Sequence, residues 1–193
     1  MAEVTSTRSL TLGATAPDFC LPDPSGREHW LSEVRGPAGL VVAFVCNHCP
    51  FVVHLADAVG DFAREAATQG VGFVAINSNN AERYPADAPG RMPAFASEHG
   101  WGFPYLVDED QGVAQAYFAA CTPDFYLFDA QLKLSYCGQF DPSRPKNGVK
   151  PTGETLRAAL KAMLAGDPPL ASQPPSSGCN IKWKPGNEPA WFG

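Results

Sequence analysis

The 193-residue sequence has no long apolar run and no stretch rich in basic residues. A membrane-spanning helix needs about 20 consecutive apolar residues, so we expect no contact with a membrane. Nucleic-acid binding usually requires clustered lysine and arginine. The net charge here is -6, and we therefore expect no nucleic-acid partner. Residues 1–12 also lack the apolar core of a secretory signal, which predicts a cytoplasmic protein.

Metal-binding motifs are also scarce, although the sequence contains six cysteines. A structural zinc site usually needs four ligands, but only one C-x-x-C pair is present, with no second C-x-x-C and no H-x-x-x-H pair. We therefore expect no metal. Cytoplasmic thiols are kept reduced, so redox chemistry is the better explanation of the close pair. A zinc site and two inert buried thiols are the alternatives.

What the sequence does contain is the pattern of one α/β domain. The continuous apolar run 40–45 is typical of a central strand that is buried on both faces. Apolar residues at three- and four-residue steps then predict a helix from Pro50 to about Gly70. A second apolar run, 71–76, predicts a strand parallel to the first, since a crossover helix joins them.

Further strands and helices are predicted on both sides of this strand–helix–strand unit. The other predicted elements are a hairpin within 13–32, a surface loop at 77–91, helices at 92–99, 111–119 and 155–164, a strand at 103–107, and a hairpin formed by 124–128 and 132–137. Together they predict a central mixed β-sheet with helices on both faces.

The last 28 residues differ from the rest of the chain in composition. Six prolines follow Gly166, and they argue against regular structure there. Several apolar side chains in the same segment would nevertheless allow it to dock. We therefore predict a domain at 1–165 and an extended, proline-rich C-terminal extension at 166–193 that packs on it.

The C-x-x-C pair, Cys46 and Cys49, lies at the junction of the first predicted strand and helix. Free N–H groups and the helix dipole stabilise a thiolate at a helix N-terminus. We therefore expect the pKa of Cys46 to fall below its free value of about 8.5, with His48 lowering it further. In this interpretation Cys46 is the attacking thiol and Cys49 the resolving thiol.

Three motifs together resemble the redoxin (AhpC/TSA) branch of the thioredoxin-like superfamily: Ala16-Pro17-Asp18-Phe19, the Cys46–Cys49 pair and Thr122-Pro123. The run Cys46-Asn47-His48-Cys49-Pro50 and the segment 178–187 are similar to a bacterial subgroup of thioredoxin-family or peroxiredoxin-like proteins. The resemblance implies a thioredoxin-like fold with Pro123 as a cis-proline facing the disulfide. It also implies that Thr122 offers its backbone to an extended substrate segment.

Two departures from the family pattern affect the expected chemistry. Thioredoxins carry a buried acid in the strand before the motif, whereas 40–45 has no ionisable side chain, so the proton acceptor for Cys49 is unidentified. Peroxiredoxins place a threonine and an arginine where this sequence has Ala43 and Pro123. We therefore predict disulfide exchange rather than efficient peroxide reduction.

The predicted function is that of a thiol–disulfide oxidoreductase acting on protein or small-thiol disulfides. It would use no cofactor besides the Cys46–Cys49 disulfide and would need an unidentified thiol reductant or oxidant as partner. The alternatives are a peroxiredoxin-like, antioxidant peroxidase using Cys46 and a redox-sensing thioredoxin-fold binding module. Cys121, two residues before Pro123, and Cys179, in the C-terminal extension, are candidate accessory thiols. Cys20 and Cys137 are expected in the core.

Overall fold

The computed structural model describes residues 3–192. Positions 1 and 2 of the predicted domain (1–165) and position 193 of the predicted extension (166–193) lie outside the described residues. The strands are β1 (Glu3–Thr5), β2 (Cys20–Pro22), β3 (Glu28–Trp30), β4 (Gly39–Phe44), β5 (Val71–Asn77), β6 (Tyr105–Val107), β7 (Cys121–Thr122), β8 (Asp124–Asp129), β9 (Leu134–Gly138) and β10 (Ser177–Asn180). The helices are α1 (Leu31–Val34), α2 (Pro50–Thr68), α3 (Met92–Glu98), α4 (Gly112–Ala116) and α5 (Glu154–Ala165).

The central sheet is built around β4, whose six residues are all buried. β4 pairs antiparallel with β8, and β8 pairs antiparallel with β9. On its other side β4 lies beside β5, where the Val45 N–H donates to the Ile76 carbonyl at 2.9 Å, and β5 pairs parallel with β6. The sheet therefore contains both kinds of pair, and the predicted mixed sheet is confirmed.

Alternate residues of β4 face opposite sides of the sheet, as the two-residue period of a strand requires. Val41 and Ala43 pack in a core with residues of α2 and α5. Leu40 and Val42 pack in a second core with residues of α1 and α4. The predicted helices on both faces are therefore present. None of the helices within residues 3–192 is both long and apolar enough to cross a membrane.

Two predicted elements differ in detail from the observed ones, and a third, the N-terminal hairpin, is present. The predicted helix at 111–119 is shorter, since α4 ends at Ala116 and Phe118 has a left-handed φ of 55° that a helix does not allow. The predicted loop at 77–91 contains two short 3-10 turns, Pro85–Asp87 and Pro89–Arg91. The N-terminal hairpin is formed by β2 and β3. Cys20, the first residue of β2, is partly exposed, so its expected place in the core is wrong. Cys137 is buried, as expected.

The C-terminal extension does contain regular structure, so the expectation of none is wrong. Its strand β10 lies between β1 and β7 and is antiparallel to both. The prolines flank Ser177–Asn180 rather than interrupt it. Every residue of the strand therefore keeps the N–H group that pairing with a neighbouring strand requires.

Candidate functional site

The candidate site lies between the end of β4 and the start of α2. The helix begins at Pro50, whose missing N–H costs nothing in the first turn, and Cys49 is the residue that caps it. Cys46 lies in the preceding loop, and both thiols are fully buried. All six cysteines are free thiols in this structure. The helix N-terminus therefore belongs to Cys49 rather than to Cys46.

The surroundings of Cys49 stabilise its thiolate. Hydrogen bonds from the thiols of Cys179 and Cys46, together with the Val52 N–H, hold the pKa of Cys49 far below its ordinary value, despite burial. When protonated, the thiol donates to the carbonyl oxygen of Thr122 at 3.1 Å. The protein therefore supplies to Cys49 the donors that the sequence suggested for Cys46.

The surroundings of Cys46 have the opposite effect. Burial raises the pKa of Cys46, and both its hydrogen bond to Cys49 and the nearby Asp87 carboxylate add to the rise. The Thr122 hydroxyl lies 3.6 Å from the sulfur and offsets only part of this rise. The expected lowering of the Cys46 pKa is therefore wrong, because the residue lies before the helix and beside a carboxylate. Its role as the attacking thiol stays a prediction.

Asp87 is the main residue that the sequence analysis missed. Its buried carboxylate accepts hydrogen bonds from the backbone N–H groups of Asn47 (2.9 Å) and His48 (3.1 Å) and from the side chain of Asn79 (2.8 Å). The carboxylate thus holds the loop between the two cysteines. One signal was available: loops that follow neighbouring parallel strands meet at one edge of the sheet, and Asp87 lies in the loop after β5.

His48 lies between this carboxylate and Cys46. Its Nδ1 is 2.6 Å from Asp87 Oδ2 and 4.0 Å from Cys46 Sγ. The ring also stacks on Tyr84, with centroids 5.7 Å apart and an interplanar angle of 8°. The imidazole is therefore fixed beside Cys46, with its close hydrogen bond directed to Asp87.

Cys46, His48 and Asp87 also offer ligand-type atoms within 4.8 Å of one another. Three groups are one fewer than a closed zinc site uses. The Asp87 carboxylate is moreover engaged by N–H donors of the loop. Hydrogen bonding accounts for the cluster, and the expected absence of a metal stays a prediction.

The Thr122–Pro123 peptide bond is cis and lies against the cysteine pair through the two Thr122 contacts described above. The backbone edge of Thr122 is not free for a substrate, however, because Cys179 of β10 lies opposite it in register. Gly178 makes this pairing possible, since a Cβ there would lie 2.1 Å from the Thr122 carbonyl oxygen. The C-terminal extension thus occupies the edge that the resemblance assigns to a substrate.

The two candidate accessory thiols are placed differently. Cys179 is buried and lies opposite Thr122, whose carbonyl oxygen is 3.1 Å from the Cys49 sulfur; hydrogen bonding to Cys49 raises the pKa of Cys179. Cys121 is also buried, but its thiol donates to the Pro123 carbonyl at 3.7 Å, and burial raises its pKa well above the ordinary value. Of the two, Cys179 is the thiol that the fold brings into contact with the pair.

A buried acid is present near the motif, but on a neighbouring strand. Asp124, which follows Pro123, pairs in register with Phe44 at the end of β4 and is fully buried. One carboxyl oxygen accepts from the Tyr126 hydroxyl at 3.0 Å, and the other has no hydrogen-bond partner among the described residues. Burial raises the pKa of Asp124 to about 7. The available signal was an acid opening an apolar strand.

This combination of a mixed sheet between helices, a C-x-x-C pair at a strand–helix junction and an adjacent cis-proline defines a thioredoxin-like redoxin. The chain belongs to the AhpC/TSA family, whose model matches residues 12–137. The resemblance inferred from the sequence is therefore confirmed at the level of the family and the fold.

Two solved structures and one curated protein show how far the similarity extends. An uncharacterized conserved protein from Geobacillus kaustophilus is 52% identical, with a TM-score of 0.92 over 96% of this chain and 98% of that one. A hypothetical protein from Sinorhizobium meliloti 1021 is 49% identical, with a TM-score of 0.91 over 95% and 100%. The thiol-disulfide oxidoreductase ResA of Geobacillus kaustophilus is 29% identical over 152 residues, which cover 76% of this chain and 83% of that protein.

Proposed function

We propose that this protein is a thiol–disulfide oxidoreductase in which Cys46 and Cys49 cycle between a dithiol and a disulfide. The observation that carries the proposal is the geometry of the two buried thiols: the Cys46 sulfur is 3.6 Å from the Thr122 hydroxyl, and the Cys49 sulfur is 3.1 Å from the Thr122 carbonyl oxygen, beside Pro123. Their pKa values also move in opposite directions. The similarity to a protein named as a thiol-disulfide oxidoreductase supports the same reaction class.

Reduction of a substrate disulfide takes two exchanges. The Cys46 thiolate attacks one substrate sulfur, so that a mixed disulfide forms and the first substrate thiol leaves. The Cys49 thiolate then attacks the Cys46 sulfur, which closes the Cys46–Cys49 disulfide and releases the second substrate thiol. Two electrons pass from the pair to the substrate, and a thiol reductant must restore the dithiol. The reverse sequence oxidises a substrate dithiol.

The opposite pKa directions suit these two roles. The hydrogen bond from the Cys46 thiol to Cys49 gives Cys46 a proton acceptor inside the pair. Cys49 passes that proton to the substrate thiolate that leaves in the first exchange, and it needs no buried acid to do so, because hydrogen-bond donors already favour its thiolate. With this arrangement the pair does not need an ionisable side chain in β4 as a proton acceptor.

The substrate class in this proposal is a protein or small-thiol disulfide, and the compartment is the cytoplasm. No cofactor beyond the cysteine pair is required. Peroxide reduction and a purely redox-sensing binding role are the competing functions. The positions that would activate a peroxide carry Ala43 and Pro123, whose side chains have no hydrogen-bond donor.

Reduction of insulin disulfides, measured beside consumption of hydrogen peroxide, tests the proposal. We expect insulin reduction to be lost in both Cys46→Ser and Cys49→Ser and to be kept in Cys20→Ser, which changes a half-exposed cysteine of β2. Peroxide turnover that survives Cys49→Ser but not Cys46→Ser would show a peroxidase instead. Inactivity in both assays, with a stable mixed disulfide trapped in Cys49→Ser, would show a binding module.

A further inference from the structure

We propose that Cys179, on the C-terminal strand β10, is a third redox-active thiol, which exchanges with the Cys46–Cys49 disulfide to form a Cys49–Cys179 disulfide. The inference rests on the proposed function, since catalysis by the pair supplies the disulfide that Cys179 attacks. Cys179 lies outside residues 12–137, which the family model matches, so family membership alone does not assign it this role.

The position of Cys179 is the first argument. Cys179 lies opposite Thr122 in the antiparallel pair of β10 and β7, and the Thr122 carbonyl oxygen is 3.1 Å from the Cys49 sulfur. The Thr122 hydroxyl, 3.6 Å from the Cys46 sulfur, also donates to the Cys179 carbonyl oxygen at 3.5 Å, so Thr122 lies against all three cysteines. Cys49 therefore has a thiol neighbour on each side: Cys46 within its own loop and Cys179 from a strand about 130 residues later in the chain.

Cys179 is also held firmly in place. On the N-terminal side, Gly178 lies against the Thr122 carbonyl more closely than any side chain would permit. On the C-terminal side, the Lys182 N–H donates to Asn79 Oδ1 at 2.8 Å, and the Lys182 carbonyl accepts from the Asn80 N–H at 2.8 Å. A thiol held next to its target reacts as though present at a high effective concentration.

The exchange is balanced without an external oxidant or reductant. The Cys179 sulfur attacks the Cys49 sulfur of the Cys46–Cys49 disulfide, so that a Cys49–Cys179 bond forms and the Cys46–Cys49 bond breaks. Cys46 leaves as a thiolate and takes up one proton, which replaces the proton that Cys179 gave up. The protein holds one disulfide before and after the step.

The electrostatics of Cys179 favour this step only after the pair is oxidised. In the dithiol form the hydrogen bond to Cys49 is the main reason why the pKa of Cys179 is raised, and burial adds to the effect. A Cys49 sulfur within a disulfide carries no negative charge and so accepts no such bond. The Lys182 ammonium then remains as a neighbour that favours the thiolate.

The product has a specific consequence for the site. The C-terminal strand becomes covalently tied along Thr122, the edge that β10 already covers in the dithiol form. At the same time Cys46 returns to a free thiol beside His48. We call this species the closed oxidised form: β10 cannot leave the Thr122 edge until a reductant opens the Cys49–Cys179 bond.

Tryptic mapping of the full-length protein distinguishes the two disulfides. Trypsin places Cys46 and Cys49 together in peptide 36–64 and places Cys179 in peptide 162–182.

The full-length protein is oxidised with insulin in the absence of reductant, quenched with acid and N-ethylmaleimide, and digested. We expect a looped peptide 36–64 and also a cross-linked 36–64/162–182 pair. Cys46→Ser oxidised with diamide should give the cross-linked pair as its main disulfide.

A backbone variant tests the geometry without removing a thiol. Gly178→Ala adds a Cβ that cannot fit beside Thr122, so it should lower the yield of the cross-linked pair on the order of tenfold or more by displacing Cys179. Gly102→Ala is the matched control, because a Cβ there meets no atom within 4 Å, and its yield should equal that of the wild type.

The outcomes separate this inference from the proposed function. If Cys46→Ser gives no cross-linked pair while the wild type forms the looped peptide and reduces insulin, the role of Cys179 is refuted and the proposed function stands. If the cross-linked pair forms in Cys46→Ser but the wild type reduces no insulin, the proposed function fails. A cross-link yield that is unchanged in Gly178→Ala would also overturn the role of β10 in presenting Cys179.

Discussion

Cys46, on the strand side of the motif, and Cys49, on its helix side, lie three residues apart, yet their surroundings shift the two thiol pKa values in opposite directions. Cys46, at the strand end, is buried beside the Asp87 carboxylate, and the acid Asp124 lies on the adjoining strand. Cys49, at the helix start, receives hydrogen bonds from two thiols and from a backbone N–H. Burial and the Asp87 carboxylate raise the pKa of Cys46, whereas hydrogen-bond donors lower that of Cys49, so two similar thiols differ in acidity.

The largest expected effect is the difference between the two thiol pKa values. Burial raises the pKa of Cys46 and hydrogen-bond donors lower that of Cys49, so we expect Cys49 to lose its proton at a much lower pH than Cys46. The ultraviolet absorbance of the thiolate measures this. Cys46→Ser should show an absorbance step below pH 7, and Cys49→Ser should show none there.

A control is needed because four other thiols are present. The double variant, Cys46→Ser with Cys49→Ser, should be flat below pH 7, since burial raises the pKa values of Cys121 and Cys137. A step below pH 7 in Cys49→Ser rather than in Cys46→Ser would reverse the comparison. Cys46 would then be the thiol with the lowered pKa, as the sequence analysis expected.

The second prediction concerns Asp124 on the strand side. Burial raises its pKa from 3.8 to about 7, so between these values the folded protein holds a proton that the unfolded chain has lost. The resulting stabilisation is complete below about pH 4 and is lost as the pH rises through 7. Relative to the wild type, Asp124→Asn should therefore gain up to about 4 kcal/mol of stability between pH 4 and 8.

Urea unfolding at several pH values measures this gain. Asp61→Asn is the control, because it changes an exposed aspartate on α2, and it should not show a gain of this size. A wild-type protein whose stability rises relative to Asp124→Asn across this range would show that Asp124 is ionised in the folded state. The strand side would then carry two buried charges instead of one.

The helix side of this comparison was largely readable from the sequence, because its signals are local. The apolar run of β4, the period of α2 and the C-x-x-C spacing are each contained in a few consecutive residues. They place two thiols at a strand–helix junction. The single error was to assign the helix N-terminus to Cys46, and the helix actually starts at Pro50, after Cys49.

The strand side and the C-terminal extension depend on contacts between distant residues. Asp87 meets the motif 39 positions later in the chain, from a loop whose composition indicated only a polar surface. The strand β10 has the sequence Ser-Gly-Cys-Asn, which has neither apolar alternation nor β-branched residues. It becomes a strand because β1 and β7 offer free backbone edges on either side of it, a property of the fold rather than of those four residues.

The smallest predicted effect isolates the charge of Asp87 from the burial of Cys46. Asp87→Asn removes a negative charge that raises the pKa of Cys46 and keeps an amide oxygen that accepts from the loop N–H groups. In a Cys49→Ser background, the Cys46 pKa should therefore fall by about one unit, worth about 1.4 kcal/mol. In a Cys46→Ser background the Cys49 pKa should move less, because hydrogen bonds from other groups set it.

The matched control for this prediction is Asp57→Asn, which removes the same charge from an exposed position on α2 and should leave both thiols unchanged. Burial is the largest reason for the raised Cys46 pKa, so even without Asp87 the thiol should still titrate above Cys49. If Asp87→Asn instead brought the two pKa values together, charge rather than burial would separate the strand end from the helix start. The contrast would then depend on one side chain in the loop after β5.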